Sequence, residues 1–283
     1  MPMLHSMGQI LNFGDTGTGT PVVALHGSAS TGAQWRSLVG HLAARHRVLT
    51  PDLAGYGRSG KPAAPRTMAT EAAFLGPLLA ATGAPVHLIG HSFGGAVALA
   101  VAITMPERVR SLTLIEPAAF RLLTTGDHTD AELGDEIAAV ARDIRSDAAA
   151  GARSDATARF IDYWNGPGAF ARSSARLQDF ALSTLDRVID NFASLAAPGL
   201  TRMALARIVC PTLVMAGLET RLPALRTAEI VAETIPDARL ELVSGAGHML
   251  PLTDPQIVDP MIARALARAE AQPVRAAETP LAA

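Results

Sequence analysis

The sequence predicts an α/β protein with a mostly parallel sheet, and two observations carry that prediction. Short apolar runs rich in β-branched residues alternate along the chain with longer segments of helical spacing. Such alternation is typical of parallel strands joined by helices, in a sheet that helices cover on both faces. The chain has 283 residues, of which 49% are hydrophobic and 18% charged, enough to bury a sizeable core in one main domain.

Six strands and five helices follow from the apolar pattern. The predicted strands, each buried on both faces, are VVALHG (22–27), RVLTPD (47–52), VHLIGH (86–91), SLTLIE (111–116), PTLVMAG (211–217) and LELVSG (240–245). The predicted helices are QWRSLVGHLAARH (34–46), TEAAFLGPLLAATGA (70–84), GGAVALAVAITMP (94–106), PALRTAEIVAETIP (223–236) and DPQIVDPMIARALARAEA (254–271). Because helices separate most of the successive strands, we expect those strands to pair in parallel.

The alternation stops after Glu116 and resumes near residue 208. The segment between lacks a convincing strand and, at about ninety residues, is far longer than an ordinary strand-to-helix connection. Its apolar residues recur at helical spacing, which predicts amphipathic helices; they are Leu133, Ile137, Val140, Ile144, Leu177, Phe180, Leu185, Val188 and Phe192. We expect a core formed by 1–117 and 207–271, a helical cap over 118–206 and a disordered tail over 272–283.

Charge and composition disfavour several classes of function. The formal net charge is −2 and no basic stripe is present, so nucleic acid is not expected as a partner. Cys210 is the single cysteine, which leaves neither an intramolecular disulfide nor a paired-cysteine metal site. No leader-like segment begins the chain and no segment has about 18 uninterrupted apolar residues. We expect a cytoplasmic protein without a membrane partner, and the oligomeric state stays open.

The stretch GHSFGG, residues 90–95, matches the pattern GxSxG between a predicted strand and a predicted helix. That context is the one that a nucleophile elbow requires. The elbow holds its serine in a strained conformation, and side chains at positions 90 and 94 would collide with the neighbouring strand and helix. The alternative is a Ser-Gly turn that only caps the helix. The flanking strand and helix favour Ser92 as a nucleophile.

A serine hydroxyl is a weak nucleophile at neutral pH and needs a general base. His248 follows the last predicted strand through a Gly-rich loop, so it reaches the carboxyl edge of the sheet, where the sites of such folds lie. The alternative is an ordinary surface histidine in a loop. Together with the elbow, the position favours His248 as the base, whereas the side chain of His91 is expected to pack rather than react.

With HGSAS, PDLAGYGRSGKP, GHSFGG and GAGHMLPL in this order, the chain resembles the α/β-hydrolase superfamily over residues ~20 to 268. The resemblance implies an eight-stranded, mostly parallel sheet with a helical cap between strands six and seven. It also implies an oxyanion hole made by the backbone amides of Ser28 and Phe93. Asp52, in PDLAGYGRS, looks like part of the family's structural loop and is a weaker alternative as a catalytic acid.

The catalytic acid departs from the family's common pattern. Many members carry an aspartate shortly after strand seven, where this sequence has Thr220, which cannot hold a negative charge beside an imidazolium. Some relatives, including one subgroup of haloalkane dehalogenases and certain lactonases, place the acid at the end of strand six. Glu116 occupies that location and is the preferred acid, with Glu219 as the second candidate.

These residues predict a serine hydrolase that cleaves a small, largely apolar carboxylic ester or lactone through an acyl-enzyme, with no metal or organic cofactor. A serine nucleophile disfavours dehalogenase and epoxide-hydrolase chemistry, because an alkylated serine would be a stable ether. Substrate contacts are expected from the cap aromatics Phe120, Tyr163, Trp164 and Phe170. Two alternatives remain open: a C–C bond hydrolase of the same fold, and a ligand receptor without activity, suggested by the missing aspartate at 220.

Overall fold

The computed structural model describes residues 2–272 and contains a single sheet of eight strands within that range. In chain order the strands are β1 Met3–Ser6, β2 Gln9–Thr16, β3 Thr20–Leu25, β4 His46–Pro51, β5 Val86–His91, β6 Val109–Ile115, β7 Thr212–Gly217 and β8 Ala238–Val243. Their spatial order is β1-β2-β4-β3-β5-β6-β7-β8. Pairs β1-β2 and β2-β4 are antiparallel and the other pairs are parallel. The mostly parallel eight-stranded sheet is therefore confirmed.

The first two strands were not predicted from the apolar pattern. β1 has the sequence MLHS and is largely exposed, and β2, QILNFGDT, is buried only in its middle. A strand at a solvent-facing edge of the sheet needs no continuous apolar run, so a pattern that identifies strands buried on both faces does not identify it. The six predicted runs all overlap strands β3 to β8.

Helices pack on both faces of the sheet, and the sheet separates two apolar cores. They are α1 Arg36–Leu42, α2 Met68–Ala81, α3 Phe93–Thr104, α9 Leu222–Thr234, α10 Leu250–Thr253 and α11 Pro255–Glu270. Side chains of α2, α3 and α9 belong to one core, and those of α1 and α11 belong to the other. Residues along β5 contribute to both cores in alternation, as Leu88 and Ile89 illustrate, because successive side chains of a strand point to opposite faces.

Between β6 and β7 the chain is helical, and we call this segment, residues 118–206, the helical insertion. Its helices are α4 His128–Ala149, α5 Arg153–Asn165, α6 Ala169–Arg172, α7 Ala175–Ala196 and α8 Arg202–Leu205, preceded by a 3₁₀ helix over Phe120–Thr125. Ile144, Phe160, Leu185 and Val188 pack with Ala156 into a third apolar cluster between α4, α5 and α7. Leu177, included in the predicted apolar face, is 58% exposed.

A buried ion pair attaches the insertion to the rest of the protein. Arg187 of α7 donates from Nε to the carbonyl oxygen of Ala54 at 2.7 Å, and its Nη2 donates to Glu71 of α2. The two charged side chains are 3% and 0% exposed. Burial of both charges is tolerated because each neutralises the other.

Two other expectations concern the ends of the chain and membranes. Of the predicted tail over 272–283, only Gln272 falls within the described residues. Across residues 2–272, no helix combines the length and the apolar character that a bilayer span demands.

Candidate active site

Ser92 lies in a sharp turn between β5 and α3, with φ 53° and ψ −119°. Residues with a side chain rarely adopt this backbone conformation, and such strain is concentrated at functional sites. A Cβ on Gly90 would overlap the carbonyl of Gly94, and a Cβ on Gly94 would lie 2.5 Å from the carbonyl oxygens of Leu25 and His26. The two glycines are therefore required for the strand, turn and helix to pack this closely.

His248 joins Ser92 to Glu116. Its Nε2 lies 3.1 Å from Ser92 Oγ, and its Nδ1 lies 2.6 Å from Glu116 Oε2. A carboxylate only accepts hydrogen bonds, so Nδ1 carries the proton and the lone pair of Nε2 faces the serine hydroxyl. The arrangement leaves Nε2 free to accept the Ser92 proton.

Glu116 follows β6 and, like Ser92, has a positive φ, 43°. The main-chain N–H of Gly217 donates to its Oε1 at 2.9 Å, and the hydroxyl of Thr220 donates to its Oε2 at 2.7 Å. Burial alone would raise the pKa of this carboxyl. The hydrogen bond and the electrostatic attraction of His248, with these two donors, outweigh burial and hold the pKa of Glu116 below its ordinary value.

Thr220, predicted only as the position of a missing acid, belongs to the site. It stands where the resemblance to α/β hydrolases implies an aspartate, and its hydroxyl donates to the carboxylate that comes from the end of β6 instead. A second carboxylate at position 220 would repel Glu116 at this distance. A neutral hydroxyl donor there is a signal that the acid has moved to another strand.

The other two candidate acids lie elsewhere. Asp52 accepts hydrogen bonds from the main-chain N–H groups of Gly32 and Arg58 and from the side chain of Asn12. It therefore holds the loop after β4 in place, in agreement with the prediction that PDLAGYGRS is a structural loop. Glu219 borders an open recess beside His248, but the acceptor for Nδ1 of His248 is Glu116.

Ser28 and Phe93 both line a small cavity of about 20 Å³ that also contains Ser92. Neither main-chain N–H has an acceptor within the described part of the chain. Phe93 is the first residue of α3, whose N-terminal amides have no partner inside the helix. Ala29, next to Ser28, has φ 50°. Two residues whose main-chain N–H groups lack an acceptor among the described residues thus border the space next to the serine.

A buried hydrogen-bond chain, which the sequence did not reveal, connects this loop to the histidine. Gly27 N–H donates to Gln34 Oε1 at 3.1 Å, and Gln34 Nε2 lies 3.1 Å from His91 Nδ1. His91 Nε2 in turn lies 2.9 Å from the carbonyl oxygen of His248. Because a carbonyl accepts, His91 donates from Nε2 and accepts at Nδ1, which describes a neutral ring. Burial lowers the pKa of His91 to about 3.

Three neighbouring spaces surround the serine and the histidine. An apolar chamber of about 220 Å³ is lined by Ser92 and His248 and, in part, by residues of the insertion. Of the predicted substrate contacts, Trp164 and Phe170 line the chamber, and Phe120 lines the small cavity beside Ser92. Tyr163 instead borders the outer recess of about 540 Å³, and its hydroxyl donates to Glu136 at 2.6 Å.

Among the residues that the structure describes, no Lys, Arg, Asp or Glu side chain lines the chamber. Its apolar surface comes from residues that include Phe160, Phe170, Leu177 and Phe180. In residues 2–272, no set of three His, Cys, Asp or Glu side chains is gathered as a metal ion would need. The chamber therefore suits an uncharged, mainly apolar group.

Comparison with known proteins assigns the family. A family model described as the alpha/beta hydrolase fold matches residues 20–255. The chain belongs to the α/β-hydrolase family. The match includes both glycines of the elbow, Ser92, Glu116 and His248.

Curated relatives and a solved structure extend the comparison of this α/β hydrolase. A candidate carbamate hydrolase named RutD, from Azorhizobium caulinodans, is 30% identical over 268 residues, which are 93% of this chain and 97% of the relative. The 2-hydroxymuconate semialdehyde hydrolase of Pseudomonas sp. strain CF600 is 32% identical over 254 residues, 84% of this chain and 83% of the relative. A thermophilic esterase from Thermogutta terrifontis superposes with a TM-score of 0.72 at 26% identity, covering 94% and 97% of the two chains.

Proposed function

We propose that this α/β hydrolase is a serine hydrolase that cleaves a small, largely apolar carboxylic ester or lactone with a Ser92, His248 and Glu116 triad. The observation that carries the proposal is the position of His248, whose two ring nitrogens lie 3.1 Å from Ser92 Oγ and 2.6 Å from Glu116 Oε2. The core formed by 1–117 and 207–271 supplies the triad, and the insertion acts as a cap over it.

The reaction proceeds in two steps of the same kind. Ser92 Oγ bonds to the carbonyl carbon while His248 Nε2 takes the hydroxyl proton, and the amides of Ser28 and Phe93 stabilise the negative oxygen. The bond to the leaving alkoxide breaks, and His248 returns the proton to that oxygen. Water then adds to the acyl-enzyme, His248 again relaying the proton, and the released acid leaves Ser92 regenerated.

Glu116 acts on the ring rather than on the substrate. Its carboxylate keeps the proton on Nδ1 and stabilises the imidazolium that forms when Ser92 reacts. The lowered pKa of Glu116 keeps the carboxylate ionised at neutral pH. Thr220 and Gly217 hold both oxygens in place.

The substrate class follows from the chamber. Its aromatic and aliphatic lining favours an apolar acyl group, and the absence of a charged lining residue disfavours a substrate with a carboxylate in the chamber. The likeness to the Thermogutta esterase supports ester hydrolysis. The relative RutD suggests carbamates as a further group of esters to include in a screen.

A fluorophosphonate probe tests the proposal. We expect it to add one phosphonyl group to Ser92 with release of fluoride, detected as a mass increase and mapped to the peptide that contains GHSFGG. Ser92→Ala, folded as judged by circular dichroism, should stay unmodified. A native protein that neither reacts nor hydrolyses any member of an ester, lactone and carbamate panel would contradict a serine hydrolase and favour the receptor without activity. A protein that reacts but hydrolyses no member of the panel would contradict the ester and lactone proposal.

A second candidate is hydrolysis of an activated C–C bond, which the relative named 2-hydroxymuconate semialdehyde hydrolase favours. The name of that substrate denotes a carboxylate, for which the chamber offers no basic side chain. The test measures the rate of C–C bond cleavage of a neutral vinylogous diketone and of its carboxylate-bearing analogue, and compares both rates with that of ester hydrolysis. Faster cleavage of either one than of the best ester would replace the ester proposal.

A further inference from the structure

Trp164, at the end of α5, lies flat against the imidazole of His248. The two ring centroids are 4.1 Å apart and the ring planes are inclined by 28°. Tyr163 meets the indole edge-on at 4.7 Å, and Phe120 stacks on it at 5.9 Å, so the indole is held from other sides as well. Trp164 also borders the chamber, the small cavity and the outer recess, which therefore meet at this one side chain.

We propose that Trp164 is a positioning residue whose indole face stabilises the His248 imidazolium that forms as Ser92 reacts. The inference rests on the proposed function and deepens it. The face of an indole carries negative electrostatic potential and attracts a cation within about 6 Å of the ring centre. Neutral imidazole gains little from that potential, so the contact favours the imidazolium, which carries a proton on each ring nitrogen.

The contact also makes the base depend on the insertion. Ser92, Glu116 and His248 all come from loops at the ends of strands, whereas Trp164 comes from the insertion. An insertion displaced from the chamber would remove the indole from His248 and leave the imidazole facing water. Substrate enclosure and stabilisation of the imidazolium are therefore coupled through one side chain.

Substitution of Trp164 does not change the identity of the other groups that face the imidazole. Glu116 lies at Nδ1, Ser92 lies at Nε2, and the centroid of the neutral His91 ring is 5.0 Å away. Glu219 and Arg221 border the outer recess beside His248. A difference between variants at position 164 therefore reports the ring that is lost.

The experiment compares Trp164→Phe and Trp164→Leu with the wild type. The titration midpoint of His248 is read from the NMR signals of protein with ¹³C-labelled histidine, assigned with His248→Gln. We expect the midpoint to fall by about 0.5 to 1 pH unit in Trp164→Leu and by less in Trp164→Phe. With a short p-nitrophenyl ester, kcat should fall about 3- to 10-fold in Trp164→Leu, and the acid limb of the kcat/KM profile should shift in parallel.

Phe160→Leu is the matched control, because Phe160 lies on the same helix and lines the same chamber, while its ring contacts Phe192. It is expected to change KM and to leave the His248 midpoint in place. Thermal unfolding checks the fold of each variant, and Trp164→Met replaces Trp164→Leu should the latter not fold.

The same midpoint in Trp164→Leu and wild type, or a shift as large in Phe160→Leu, would overturn the role of the indole. The midpoint is measured without turnover. A protein that shows the expected order of midpoints but does not react with the fluorophosphonate would contradict the proposed function alone.

Discussion

Thr220 donates a hydrogen bond of 2.7 Å to Oε2 of Glu116, the same oxygen that lies 2.6 Å from Nδ1 of His248. The carboxylate of this α/β hydrolase reaches the histidine from the end of β6, and Thr220, in the loop after β7, donates a hydrogen bond to that carboxylate. Two adjacent strands thus share one task. The neutral hydroxyl keeps a single negative charge behind the imidazole.

Removal of that hydroxyl should weaken the acid without removing it. In Thr220→Val we expect kcat to fall about 10-fold, because a hydrogen bond to a charged group contributes about 1.5 kcal/mol or more. Steady-state kinetics on an ester from the screen provide the measurement, and Thr220→Ser, which keeps a donor, is the control. Equal kcat values in Thr220→Val and Thr220→Ser would show that the hydroxyl does not act through Glu116.

Glu116→Gln should lower kcat by about 10³- to 10⁴-fold, since a neutral amide neither holds the imidazole tautomer nor balances its charge. Glu219→Gln, one residue before Thr220, should remain near the wild-type rate. The double variant Glu116→Gln with Thr220→Asp moves the acid to the position that many relatives use, and we expect it to recover part of the loss. A near-normal rate in Glu116→Gln would point to Glu219 or to a working Ser-His dyad.

The parts of the molecule that the sequence predicted are those with strong one-dimensional patterns. Runs buried on both faces identified β3 to β8. The elbow motif, chain order and strand ends indicated Ser92 and His248, whereas Glu116 was expected from the resemblance to relatives that place the acid after strand six. The half-exposed β1 and β2 lack such runs. Contacts of neutral polar residues depend on loop geometry, so Gln34 was not anticipated. The rotation of a helix decides which ring faces the chamber, and neighbours Tyr163 and Trp164 therefore lie differently.

His91 should make the protein sensitive to acid. Its pKa is lowered from 6.5 to about 3 by burial. The unfolded chain therefore binds a proton between these values while the folded protein does not, so the free energy of unfolding decreases as the pH falls from 6.5 towards 3. His91→Gln keeps a donor and an acceptor but cannot be protonated. We expect its free energy of unfolding, from urea titrations across this range, to decrease less than that of the wild type.

The exposed His128 supplies the control for that experiment. His128→Gln removes an exposed imidazole instead of the buried one, and its curve shows what the loss of any one histidine does. Parallel curves for the wild type and His91→Gln would mean that the buried ring takes up its proton without unfolding the protein.

Loss of the ion pair between Arg187 of the insertion and Glu71 of α2 should lower the free energy of unfolding. Arg187→Met leaves the buried Glu71 without its cation, and we expect a loss of about 3 to 5 kcal/mol in the free energy of unfolding. Burial raises the pKa of Glu71, so its charged form is the disfavoured one. The deficit of Arg187→Met should therefore be smallest below the ordinary pKa of a glutamate and should increase as the pH rises.

The double variant Arg187→Met with Glu71→Leu separates charge from packing. Because no charge remains to be buried, we expect it to recover most of the stability that the single variant loses, with little dependence on pH. Urea unfolding of both variants at pH 4.5 and pH 8 provides the comparison. An equally large and pH-independent loss in both would assign the effect to the contacts of the Arg187 guanidinium with the rings of Phe93 and Tyr56 rather than to the ion pair.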